Sequence, residues 1–217
     1  MDGSALANIV ISVYFWFEQK NLMLTQPPVT RISEEDYFVM LRESTERLEF
    51  HDGEVTAMAG AKLVHNLIAS NLIRLFGNCL LNDSCLVLNS DQLVHMADCY
   101  KYVFPDVAIV CREPVLTERY GLDVLENPEI IIEILSDSTE LFDRTEKFDC
   151  YKHIASVQEY VLVASKKKKI EVFRRTESNE WLLHDYLPQD NTVLIGTCTL
   201  LMEDIYRKIG FEMPVVP

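Results

Sequence analysis

The stretch NPEIIIEILSDST, Asn127 to Thr139, places one carboxylate, Glu133, inside a run of isoleucine and leucine. An ionised carboxylate among apolar side chains is costly unless it is protonated, paired with a cation or bound to a metal. Each remedy names a partner. The preceding β-rich run, YVFPDVAIVC, carries Asp106 at the edge of its apolar part. If the two runs pair antiparallel, Asp106 lies near Glu133, and two carboxylates face each other. A shared proton or an oxygen-liganded divalent cation such as Mg²⁺ relieves their repulsion. Downstream, Asp143, Lys147 and Tyr151 stand at i, i+4 and i+8. On a helix they form one stripe, from which a lysine could reach back over the strand end.

These groups need a sheet and helices to position them. RLEFHDGEVTAM reads as a hairpin, Arg47 to Phe50 and Glu54 to Met58, around Asp52-Gly53. Before it, Ser33 with Asp36 three residues later resembles a capping box. AKLVHNLIASNLIRLFGNCLL has Val64, Leu67, Ile68, Leu72, Leu75 and Phe76 at helical spacing, with Gly77 as the expected stop. Arg112 to Asn127 reads as a polar loop. STELFDRTEKFDCYKHIAS reads as a second helix capped by Ser138 or Thr139, with Leu141, Phe148, Tyr151 and Ala155 inward. EYVLVAS, KIEVFRR, WLLHDYL and TVLI follow as strands, and LLMEDIYRKIG closes as a short helix. The pattern predicts an α/β (α+β) domain over residues 31–217. Residues 1–30 read as a leader and linker, with Met23 as an alternative start.

The order FHDGEVTAMAG, HNLIASNLIRLF, PDVAIVC, IIIEILSDST, DRTEKFDCYKH, EYVLVA resembles the Uma-two family of restriction endonucleases, over about residues 31 to 210. That family is assigned to the PD-(D/E)XK nuclease superfamily. The resemblance implies a restriction-endonuclease-like fold, a central mixed sheet flanked by helices, and Mg²⁺- or Mn²⁺-dependent cleavage of DNA. Pro105-Asp106 matches the PD element, and Glu133 the acidic residue of the second half-motif. The superfamily's usual lysine would fall at Leu135; in this family it moves to the following helix, where Lys147 matches. Glu54 matches an early acidic residue that supplements the metal shell. The expected ligands are therefore Asp106, Glu133, the Ile134 carbonyl and Glu54, with Lys147 acting on the attacking water. Two-strand cleavage implies a homodimer.

Composition both supports and strains this reading. A hydrophobic fraction of 48% with 7 Gly and 8 Pro is that of a folded chain. A net charge of −14 excludes a surface built for non-specific phosphate binding. With Leu135 at the usual lysine position, that charge motivates an alternative: a catalytically inactive dimeric DNA- or protein-binding module of the same fold. Lys166 to Lys169, between two strand-like runs, reads as a solvated hairpin tip. His65 reads as a packed helix histidine, Asp91 as a turn residue and Tyr151 as a helix–sheet contact. Six cysteines without a CxxC pair read as reduced thiols. The apolar run Ala5 to Phe17 is too short to span a bilayer. The expectation is a cytoplasmic protein with no membrane contact.

Overall fold

The structure, a computed structural model, describes residues 31–58 and 60–211. The leader and the Met23 start lie outside the described residues. Ser33 caps α1 (Glu34–Glu43) as expected, its hydroxyl accepting from the Asp36 N–H; the Asp36 carboxylate accepts from that hydroxyl, so the return bond of a full capping box to the Ser33 N–H is replaced. The hairpin β1 (Leu48–His51) and β2 (Glu54–Ala57) follows, with His51 opposite Glu54. Asp52 and Gly53 both take positive φ, 46° and 93°, the conformation a two-residue hairpin turn demands.

The long helix α2 (Leu63–Cys79) buries Ile68, Leu72 and Phe76 on one stripe. It runs through Gly77, where nothing lies within 4 Å of an added Cβ. One glycine on an open helix face weakens the helix by about 1 kcal/mol without ending it. Next come β3 (Leu86–Asn89), β4 (Leu93–Met96), a 3₁₀ turn (Ala97–Cys99), β5 (Lys101–Val103) and β6 (Val107–Val110).

Residues 112–127 are not a plain loop. They form a hairpin, β7 (Leu116–Arg119) and β8 (Leu122–Leu125), reversing at Tyr120 and Gly121, both with positive φ. These strands are hidden in the sequence because each is only four residues long, with polar Thr117, Glu118, Arg119 and Asp123 interrupting the apolar pattern, and β7 lies on the sheet edge. β9 (Ile130–Leu135) then enters the core, followed by α3 (Glu140–Phe142), a π-helical turn (Asp143–Lys147) and α4 (Phe148–Tyr151). There follow β10 (Glu159–Ala164), β11 (Ile170–Arg175), β12 (Trp181–Tyr186), β13 (Thr192–Ile195), β14 (Cys198–Leu201) and α5 (Met202–Ile205).

Two six-stranded sheets carry the fold, ordered β2-β1-β5-β4-β8-β7 and β12-β11-β10-β9-β6-β3, beside the small β13-β14 hairpin. β9 is central, antiparallel to β6 and parallel to β10. It is buried along its whole length because both faces pack. Ile130, Ile132 and Ile134 meet α2, β13-β14 and α5, while Ile131 and Leu135 meet Tyr151, Tyr160 and Val157 on the other face. The segment from residue 140 to residue 151 is the crossover joining parallel β9 and β10, so it is obliged to lie over that second face.

Two further expectations need correction. Leu141 is 77% exposed and Ala155 is also exposed; the inward side is Asp143, Lys147, Cys150 and Tyr151, Leu141 lying ahead of the π turn and Ala155 in the turn that follows the helix. The cysteines are not free thiols: Cys79 bonds Cys198, Cys85 bonds Cys111 and Cys99 bonds Cys150. Register explains one pair, since Leu86 opposite Val110 puts Cys85 opposite Cys111. The argument for a reducing compartment from unpaired thiols therefore falls. Among the described residues, no helix is long and apolar enough to cross a membrane.

Candidate functional site

The β6–β9 register pairs Val107 with Ile132, so the next step outward sets Asp106 against Glu133. The antiparallel pairing expected from sequence holds. Asp106 lies just beyond β5, where Phe104 and Pro105 carry the chain from one sheet to the other. Its Oδ2 accepts the Ile134 N–H at 2.7 Å, which ties the aspartate to the strand that bears Glu133. Glu133 is 4% exposed.

Lys147 reaches the strand end from the π turn. Its Nζ donates to Glu133 Oε1 at 3.2 Å and lies 3.5 Å from Glu49 Oε1 and 3.6 Å from Asp143 Oδ1. A π turn places side chains four apart differently from an α turn, and such turns recur at functional sites. Here it buries both Asp143 and Lys147. Leu135, where the sequence lacks the lysine expected on this strand, is buried in the apolar cluster that also holds Tyr151 and Leu162. The ammonium thus arrives from the helix and not from the strand.

Of the expected residues, the structure brings together Asp106, Glu133 and Lys147. Glu54 is not among them: it is exposed on β2. The early carboxylate in the cluster is Glu49, whose Oε1 accepts the Phe104 N–H at 3.1 Å and whose Oε2 lies 3.4 Å from His51 Nε2. His65, set aside as a packed histidine, lies with Nε2 3.1 Å from Asp106 Oδ2. Asp91 serves a turn with Asn89, and the lysine run tops the β10–β11 hairpin, where Lys166 pairs with Asp137 and Lys169 with Glu171 and Asp185. Tyr151 is fully buried against Tyr160, as expected of a helix–sheet contact.

The electrostatics are unbalanced. Four carboxylates, Glu49, Asp106, Glu133 and Asp143, surround the single ammonium of Lys147. Burial pushes the Glu133 carboxyl well above its usual range; Lys147 opposes this, and Asp143, Asp106 and Glu49 reinforce it. Burial also raises Asp143, more than Lys147 lowers it. Burial would raise Glu49 too, but Lys147, His51 and the Phe104 N–H together hold it below the usual range. Burial alone would lower Lys147, but the carboxylates keep it protonated well beyond neutral pH.

Asp143 Oδ1 is buried with no hydrogen-bond partner, although the lysine is near. Excess buried negative charge and an unsatisfied carboxylate oxygen are what a hard divalent cation relieves, and the donors are oxygens throughout. In chemistry and charge the residues fit Mg²⁺. Among the described residues no three His, Cys, Asp or Glu side chains already converge on a common point; the ammonium stands between them.

A family model described as "Putative restriction endonuclease", Uma2, matches residues 34–200. The uncharacterized protein slr1290 of Synechocystis sp. is 32% identical over 186 residues, 85% of this chain and 96% of that protein. A second Synechocystis protein, sll1609, also uncharacterized, is 31% identical over 155 residues, 71% of this chain and 87% of that protein. A crystal structure from Anabaena variabilis, described as a putative nuclease of the family DUF820, shares the fold with a TM-score of 0.64 at 18% identity, covering 82% of this chain and 98% of that one. The fold is the restriction-endonuclease-like one expected, and the chain belongs to the Uma2 family.

Proposed function

We propose that the chain is a divalent-metal-dependent nuclease that hydrolyses phosphodiester bonds in DNA. The observation that carries this reading is the opposition of Asp106 and Glu133 across β6 and β9, with Lys147 delivered onto Glu133 by the crossover helix. Asp106, Glu133 and the Ile134 carbonyl would hold Mg²⁺ or Mn²⁺, with Glu49 standing where Glu54 was expected. A bound cation would supply charge neutralisation at the scissile phosphate and a more acidic water. Lys147 remains an ammonium, so its part is to donate hydrogen bonds to the attacking water and to the charge that builds on the phosphoryl oxygens, not to remove a proton. Glu49 and Asp143 hold that ammonium in place. A two-fold dimer would present one such site to each strand.

The depth of the cluster favours a second reading, the catalytically inactive binding module, because Glu133, Asp143 and Lys147 are each exposed by 5% or less. Incubating supercoiled plasmid with the purified chain and Mg²⁺ or Mn²⁺ separates the two. The nuclease reading predicts nicking that is lost in Asp106→Ala; an intact plasmid under every metal condition would overturn it and move the weight to the binding module.

A further inference from the structure

The two oxygens of Asp106 have different surroundings. Oδ2 accepts the Ile134 N–H at 2.7 Å and lies 3.1 Å from His65 Nε2. A carboxylate oxygen offers two lone-pair sites, so these two donors saturate it. Oδ1 has no hydrogen-bond partner among the described residues, yet it is not one of the buried unsatisfied atoms. It is the oxygen left open.

His65 reaches this carboxylate from the first turn of α2, which packs on the face of the sheet opposite Lys147. Its side chain is 18% exposed, and its Nδ1 is sealed without a partner. A proton on Nδ1 would be a buried donor with nothing to receive it, which costs more than an idle acceptor. The ring is therefore held with its proton on Nε2, directed at Asp106. Neither Lys147 nor the other carboxylates contact His65 among the described pairs.

We propose that His65 is a positioning residue for the cation site: with the Ile134 N–H it occupies Oδ2 of Asp106, fixes the carboxylate plane and leaves Oδ1 for a hard divalent cation. This rests on the metal-site reading given above. Partners that orient a metal-binding side chain typically change metal affinity by 10- to 100-fold when removed.

The test is calorimetric titration of Mn²⁺ into the full chain, comparing wild type with Asp106→Ala, His65→Asn and His65→Gln. Asparagine and glutamine carry the same amide, but only the glutamine amide reaches the place of Nε2. The expected result is no binding in Asp106→Ala, affinity lowered about 10- to 100-fold in His65→Asn, and near wild-type affinity in His65→Gln. Equal affinities for the two histidine variants, whether tight or weak, would overturn the positioning role while leaving the metal site standing. Absence of Mn²⁺ binding by wild type, or undiminished binding by Asp106→Ala, would overturn the metal site and this inference with it.

Discussion

At Glu133, stability and chemistry pull in opposite directions. Its carboxyl titrates well above the ordinary 4.5 in the folded chain, chiefly because it is buried. A raised folded-state pKa means that folding favours the protonated form. The contribution is complete below the unfolded pKa and is lost as pH rises through the folded one. Near neutral pH the metal-free protein therefore carries a penalty that an amide would not. Glu133→Gln should raise the stability of the metal-free protein at pH 8 and change it much less at pH 5. Thermal melts in EDTA at both pH values measure it; a lower melting temperature for the variant at pH 8 would contradict the account. Asp106 and Glu133 were legible in the sequence because a carboxylate inside an apolar strand is conspicuous. Glu49 was not, because its neighbours Leu48 and Phe50 give an ordinary alternation, and the turn at Asp52-Gly53 drew attention to Glu54. His65 was invisible for another reason: only the three-dimensional approach of α2 to the β5–β6 junction gives it a carboxylate partner.

At the scale of elements, the site depends on one register and one irregular helix. Hydrophobic runs and a polar interruption sufficed to predict that β6 and β9 pair and that a helix follows β9. The π turn was beyond sequence reasoning, since a single wider turn leaves no periodic trace over five residues. The disulfides were equally hidden. Their partners are 119, 26 and 51 residues apart, with no spacing motif. Cys99–Cys150 joins the 3₁₀ turn ahead of β5 to the helix that carries Lys147, and Cys79–Cys198 ties α2 to β14. Closing the longest loop restricts the unfolded chain most. Replacing Cys79 and Cys198 together by serine should cost about 3–5 kcal/mol, more than the corresponding Cys85/Cys111 change. Urea unfolding of oxidised protein measures both, and a Cys85/Cys111 variant as unstable as the Cys79/Cys198 one would contradict the ordering.

For the whole molecule, the proposed cation would reconcile the net charge of −14 with the nuclease-like fold. An acidic surface repels a phosphate backbone at long range, and the site itself holds more carboxylate than ammonium. On the proposed reading a divalent ion would reverse the local sign where DNA approaches, and Lys147 would supply a fixed positive charge beside it. The central claim is that this displaced lysine replaces the one absent at Leu135. The most direct measurement is the single-turnover rate of Mg²⁺-dependent nicking of supercoiled DNA by wild type and by Lys147→Met. The account predicts a loss of about 100-fold or more, the size expected when one hydrogen-bond donor to a developing anion is removed. Nicking by Lys147→Met at the wild-type rate would contradict it.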